Sequence, residues 1–327
     1  VASVTGAGSE FLLVVFNEPV NESDAEDLGA YDVGGTLALN EAWLSRDGRT
    51  VLLSTSRQVP DSLYTISVSG VYDLASNALM DTTVGFSGYF DDITPISETQ
   101  EWNDDGFSVM VTENVSVVGF TTVPPGVFQP DRTNMYIQDL HDWGINLYSF
   151  GTMPKPPIYG DLVKASGSVT DYVSGTSGAG ATTEIDDSVI TVLARGFDIV
   201  EPIELPTGDV NDERYEGSFV TTSGVVISVE GFAYFIDDGS GAVQVYQNFS
   251  DLDFSQFALG DSVEVAGVIL QYDLSRPYFS GYELAPRYQS DMIIRDASYS
   301  SSAEASLVVG TGEEDRLILN IDAEPSA

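Results

Sequence analysis

Two stretches of this chain repeat each other without a gap, and that repeat limits the fold more than any other feature. Residues 159–172 align on residues 259–272, with Gly160/Gly260, Asp161/Asp261, Val163/Val263, Gly167/Gly267 and Tyr172/Tyr272 coinciding. Upstream, Tyr136-Ile137-Gln138-Asp139 and Gly144-Ile145-Asn146-Leu147-Tyr148 parallel Phe235-Ile236-Asp237-Asp238 and Gly241-Ala242-Val243-Gln244-Val245-Tyr246. Each unit reads as strand, acidic turn, strand, Gly-Asp turn, strand. Gly160 and Gly260 supply a backbone conformation that residues with a β-carbon avoid. Asp161 and Asp261 are expected to accept hydrogen bonds from nearby amides and so fix the entry to the next strand.

The rest of the chain carries the same signal. Apolar and hydroxyl side chains alternate in Tyr64-Thr65-Ile66-Ser67-Val68-Ser69, and turn residues such as Arg46-Asp47-Gly48-Arg49 separate such runs. Helical periodicity is nearly absent, so the fold class is all-β.

Residues 1–92 hold the landmarks Phe16-Asn17-Glu18-Pro19-Val20, Asp47-Gly48-Arg49-Thr50-Val51-Leu52-Leu53, and Tyr64 to Val71 followed by Asp73-Leu74-Ala75-Ser76-Asn77. In that order they resemble the bacterial Ig-like domains of surface-layer and secreted proteins. The resemblance implies a spacer or adhesive β-sandwich in which Asp73 and Asn77 shape a turn, with Ser76 standing where the family has glycine. The repeated units, over 107–198 and 214–295, resemble tandem OB-fold modules appended to secreted bacterial nucleases and surface proteins. That likeness implies a five-stranded Greek-key barrel for each. Acidic segments 93–106 and 199–213, with prolines at 95, 202 and 206, read as stiff linkers. The tail, 296–327, contains Leu307-Val308-Val309 and Leu317-Ile318-Leu319-Asn320-Ile321. A strand at Leu317, Ile318, Leu319 and Ile321 needs a sheet edge, in this molecule or in a neighbour, and makes these the candidate assembly residues.

Composition narrows the chemistry. The chain has 51 acidic residues (31 Asp, 20 Glu), 12 basic residues, one histidine and no cysteine, for a net charge of −39. Disulfides, thiol nucleophiles and Cys/His zinc sites are excluded. No apolar run reaches the ~20 residues of a helical membrane span. Phosphate affinity needs Lys and Arg, yet both repeated units are net negative, so nucleic acid is an unfavoured partner. An acidic, cysteine-free chain with two lysines, Lys155 and Lys164, reads as extracellular or cell-surface.

His141 is the one candidate for a histidine-dependent triad and sits in a turn, Asp139-Leu140-His141-Asp142-Trp143, without a nucleophile elbow. The glycine-rich 174–181 lacks the lysine of a phosphate-binding loop. Calcium fits the composition, because it takes several oxygen ligands from clustered turn residues. Its candidates are Asp209, Asn211, Asp212 and Glu213 in the second linker, then Asp104 and Asp105 in the first. Phe232, Tyr234, Tyr246 and Tyr272 are the candidate stacking platform for a base or a glycan, and Tyr278, Tyr282 and Tyr288 are further aromatics for glycan. No catalytic residue is assigned. The expectation is a secreted, non-catalytic structural protein of the cell surface or extracellular matrix, joined to copies of itself by strand pairing. The alternative is the accessory region of a secreted nuclease or phosphoesterase.

Overall fold

A computed structural model describes residues 1–35, 37–89, 92–174, 178, 180–247 and 252–297. The described chain is all-β, with helical turns of three or four residues between strands. The expected assembly residues Leu317, Ile318, Leu319 and Ile321 lie outside the described residues.

The N-terminal part is two antiparallel sheets around one core. The first contains β1 (Ser3–Gly6), β2 (Phe11–Val15), β4 (Leu39–Leu44) and β5 (Thr50–Thr55), in the order β1-β2-β5-β4. The second contains β3 (Tyr31–Asp32), β6 (Leu63–Val68) and β7 (Thr82–Ser87), in the order β3-β6-β7. Leu12, Val14, Val51 and Leu53 from the first sheet meet Ile66, Val68 and Phe86 from the second. The turns behave as their residue types require. Asp47 Oδ1 accepts from the amides of Arg49 (2.7 Å) and Thr50 (2.8 Å) while Gly48 takes a φ of +68°. Asp73 accepts from the amides of Ala75 and Asn77 and from Asn77 Nδ2, each at 2.8 Å. Those three bonds hold Ser76 at a φ of +66°, a conformation usually left to glycine.

Two barrels follow with one shared topology. The first has β8 (Asn114–Val123), β9 (Thr133–Gln138), β10 (Gly144–Ser149), β11 (Leu162–Val173) and β12 (Gly180–Ala194). It closes in the order β10-β12-β11-β8-β9, and the β10–β12 pair is parallel. In the second, β13 (Ile203–Glu204) precedes β14 (Phe219–Glu230), β15 (Ala233–Asp237), β16 (Val243–Tyr246), β17 (Ser262–Gln271), β18 (Tyr282–Ala285) and β19 (Met292–Asp296). Strands β14 to β18 repeat the first order, with β16 parallel to β18 and β17 paired back on β14. Strands β13 and β19 extend that sheet.

The Gly-Asp turns share their backbone bonds and one carboxylate bond. Gly160 N–H donates to Thr121 O, and Thr121 N–H donates to Asp161 O; Gly260 and Asp261 make the same pair of bonds with Val226. Asp161 Oδ2 accepts from Ile158 N (3.1 Å), and Asp261 Oδ2 accepts from Ala258 N (2.7 Å). Both carboxylates are buried, and both glycines have positive φ, +81° and +93°. A β-carbon on Gly160 would sit 1.9 Å from Phe197 O. These aspartates therefore hold the strand entry in each barrel.

Continuous apolar runs mark strands buried on both faces. Along β2, Leu12 and Val14 face the sandwich core, whereas Phe11 and Leu13 pack with Val118, Phe120 and Leu162 of the first barrel. Leu52 of β5 does the same between Val51 and Leu53. A second shared cluster joins the barrels: Val123, Phe128 and Tyr136 of the first meet Phe219, Val268 and Ala285 of the second.

The segments read as linkers are part of the folded body. Ile96 of the short helix α1 (Ile96–Thr99) enters the first barrel's core, and Gln100 Nε2 donates to Gly144 O at 2.7 Å. In 199–213, β13 pairs with β14, and Leu205 and Val210 enter the second barrel's core. Acid and proline content suggested solvated spacers, but the apolar residues spaced among them bury.

Phe120→Ala in the first seam is expected to lower unfolding free energy by about 3–5 kcal/mol. Asp261→Ala, which strips a buried turn of its acceptor, is expected to lower it by about 2–3 kcal/mol. Exposed Lys155→Ala serves as the reference, with a change under about 0.5 kcal/mol. Urea titration of the three variants checks all three values.

Candidate functional site

The aromatic residues of the second barrel divide by strand face. Phe232, between β14 and β15, is 74% exposed, and Tyr272, after β17, is 49% exposed. Tyr246 is half-buried at the end of β16. Tyr234 is not at the surface. It is fully buried, stacked on Phe257 with centroids 4.7 Å apart and edge-on to Phe254 at 4.9 Å. Adjacent residues on β15 point to opposite faces, and the inward one is Tyr234. Tyr278 and Tyr282 are buried as well, while Tyr288 is exposed.

The arginines of this barrel are occupied elsewhere. Arg214 lies 3.5 Å over the Trp143 ring and donates to the carbonyls of Asp142 and His141. Arg276 lies over Phe107 and faces Asp105, Arg287 pairs with Asp291, and Arg295 pairs with Glu264. None of them forms an ion pair beside Phe232, Tyr246 or Tyr272 among the described residues. Near Tyr246, Glu283 accepts from Gln244 Nε2 at 3.1 Å, and burial pushes its carboxyl up to about 7.

The residues expected to bind calcium are dispersed. Asn211 Nδ2 donates to Ala242 O (3.0 Å), and Asp212 Oδ1 accepts from Arg214 N (3.0 Å). Glu213 turns the other way, accepting from Tyr282 OH and from Gln271 Nε2. Asp209 is exposed at the start of a helical turn. Asp104 is also exposed, and Asp105 faces Arg276 at 3.5 Å. Among the described residues, no three His, Cys, Asp or Glu side chains are disposed to hold a metal ion.

His141 borders a cavity of about 250 Å³ between the sandwich and the first barrel, with Ser9, Ser54, Thr55 and Arg57 on its wall. No hydroxyl is hydrogen-bonded to the His141 ring among the described residues. Asp139 Oδ1 is taken by the amides of His141 (2.8 Å) and Trp143 (3.0 Å), so this carboxylate shapes its own turn. Burial raises the Asp139 carboxyl above the usual range.

The densest chemical grouping is one that no sequence motif marks. Asp171 of β11, Glu184 of β12, and Glu213 and Glu216 ahead of β14 are gathered where the barrels meet. Asp171 Oδ1 accepts from Thr183 Oγ1 (2.8 Å), and its Oδ2 accepts from Ser108 N (2.9 Å). Glu216, 1% exposed, accepts from Thr183 N at 2.9 Å. Backbones touch at the same place, where a β-carbon on Gly144 would lie 2.1 Å from Gly217 O. Phe219 N–H donates to Gln138 Oε1 (2.7 Å), and Ala181 N–H donates to Gln271 Oε1 (3.1 Å) across the seam. The acids are legible in the sequence, but their convergence depends on how two curved sheets dock.

No protein-family model matches the chain, and no curated protein matches it. Among solved structures, the N-terminal part of the bacterial S-layer protein SbsC is similar at 16% identity and a TM-score of 0.28, over 58% of this chain and 39% of that one. SbsC domains 1–6 match at 13% identity and a TM-score of 0.29, over 86% of this chain and 33% of that one. The chain rSbsC(31–844) matches at 14% identity and 0.29, over 84% and 33%. The chain thus spans about a third of the length of the S-layer chains it matches.

Tyr234→Ala is expected to cost about 3–5 kcal/mol of stability. Phe232→Ser is expected to change it by less than about 0.5 kcal/mol. Denaturant midpoints of the two variants test the core and surface assignments.

Proposed function

We propose that this chain is a non-catalytic structural component of an extracellular or cell-surface assembly, built to hold three β-units in fixed order. The observation that carries this reading is the burial of both faces of the joining sheets. Phe11, Leu13 and Leu52 turn the sandwich's second face into a contact with Phe120 and Leu162, and Phe219 and Val268 repeat that arrangement at the next joint. Polar bonds set the rotation at the first joint: Arg46 N–H donates to Gly196 O (2.9 Å), and Ser45 Oγ donates to Arg195 O (2.7 Å). A cluster that excludes water and is keyed by hydrogen bonds resists hinge motion, whereas domain contacts of ordinary polarity permit it.

Self-association through the apolar run at Leu317, Ile318, Leu319 and Ile321, whose sequence suits strand pairing, is part of this reading. Contacts that do not close on themselves give open polymers. The acidic exterior then makes assembly depend on salt, because charges at separate surfaces repel until screened within about 10 Å at 0.1 M salt.

Sedimentation and electron microscopy of the purified chain test the proposal. The expected outcome is concentration-dependent polymers that strengthen with ionic strength and disappear when 304–327 are removed. A chain that stays monomeric throughout, or that binds single-stranded DNA with a steep loss of affinity in salt, would oppose it. Calorimetry of the full chain checks the joints themselves, with one cooperative transition expected in place of three.

A further inference from the structure

The carboxyl groups at the barrel–barrel seam have no cation set against them. None of Asp171, Glu184, Glu213 and Glu216 takes part in an ion pair among the described residues. The groups that face them from each neighbouring element are acidic too: Tyr136 of β9, Asp186 of β12, Asp212 ahead of β14, Asp273 after β17 and Tyr282 of β18. Arg214, next to Glu213 in sequence, is turned onto Trp143. His141 lines the cavity on the sandwich side of the first barrel.

One member is singular. Glu216 is 1% exposed, and its Oε1 accepts from Thr183 N across the seam. Its Oε2 is buried with no hydrogen-bond partner. An ionised carboxylate with one bare oxygen and three further carboxyls around it is unfavourable in a medium of low dielectric, so the closed seam favours protons on this cluster. The surrounding joint is tight: Gly180 and Asp273 exchange both backbone bonds (3.0 and 2.9 Å), and Gln100 Nε2 donates to Gly144 O.

We propose that the seam between the two barrels is a proton-operated joint, closed while Glu216 and at least one neighbouring carboxyl hold protons and loosened when they release them. Burial, the main cause in each case, raises Asp171 to about 6 and Glu184 to about 8, and lifts Glu216 well above the usual carboxylate range. Folded values above the unfolded ones mean that the closed seam binds more protons than the open one. Its stability is therefore complete below about pH 4, near the ordinary carboxylate values, and is lost as pH rises through 6 to 8. Carboxylates of ordinary value, about 4, are ionised throughout that window and add no slope there.

Amide hydrogen exchange on the full chain, corrected for the intrinsic base-catalysed rate, tests the joint. The reporters are the seam segments 181–184 and 217–219, against 163–165 in the first barrel's core. Between pH 6 and 8 the seam's opening constant is expected to rise at least about tenfold, since each released proton contributes about tenfold per pH unit. Segment 163–165 is expected not to change. Glu216→Gln, which keeps the Thr183 bond and needs no proton, should remove most of the rise, and Glu184→Gln should reduce it. Glu283→Gln, whose carboxyl is bonded to Gln244 and not to the seam acids, should leave it unaltered. Calcium chloride at pH 8 should not reclose the seam. Opening that stays flat from pH 6 to 8, a rise that survives both seam variants, or closure by calcium as complete as that by acid would overturn the proposal. The last result would make the cluster a cation site.

Discussion

Everything in this chain hangs on sheets that bury two faces at once. A strand whose alternate residues serve one core leaves its other face to water; in β2, β5 and β8 that second face is apolar and belongs to the neighbouring unit. Phe11 meets Phe120 edge-on, with centroids 5.8 Å apart, while Leu12 beside it lies in the sandwich core. Burial of apolar area is non-directional, so the seams supply adhesion but not register. Register comes from the polar bonds at their margins. Arg46 and Ser45 reach Gly196 and Arg195 at one joint, and Gln138, Gln271 and Thr183 reach across the other.

The acidic residues divide into two populations that one composition figure hides. Some shape the backbone: Asp47, Asp73, Asp161 and Asp261 accept hydrogen bonds from main-chain amides and so fix the local turn or strand entry. Asp171, with Glu184, Glu213 and Glu216, has lost water without gaining a cation. The second kind stores sensitivity to the medium where the first kind stores shape. A net charge of −39 conceals this division.

Much of the architecture is legible from the residues. The repeated Gly-Asp pair announces a repeated turn, and both copies share the backbone bonds and one carboxylate bond. Alternation in 64–69 marks β6, and the landmarks of 1–92 mark a two-sheet unit. Legibility fails where direction depends on curvature. Tyr234 and Phe235 must face opposite sides of β15, but the sequence does not say which side is inward; Tyr234 enters the core together with Ile236. Glu213 reads as one of four candidate calcium ligands in a linker; in space it departs from Asp209 and Asp212 and joins Glu216. Ile96 and Val210 look like isolated apolar residues in acidic spacers, yet each completes a barrel core. Docking angles carry no local signature, so seams are found only by seeing which surfaces meet.

The contact of Gly144 with Gly217 has a practical corollary. Neither barrel is an interchangeable cassette, because each carries half of a bare-backbone joint that a single methyl group on either half would pry apart. A graft that moves one barrel into another host inherits a flat, glycine-lined scar and several stranded carboxyls. Anyone re-engineering this chain should cut outside the pair and carry both barrels as one piece.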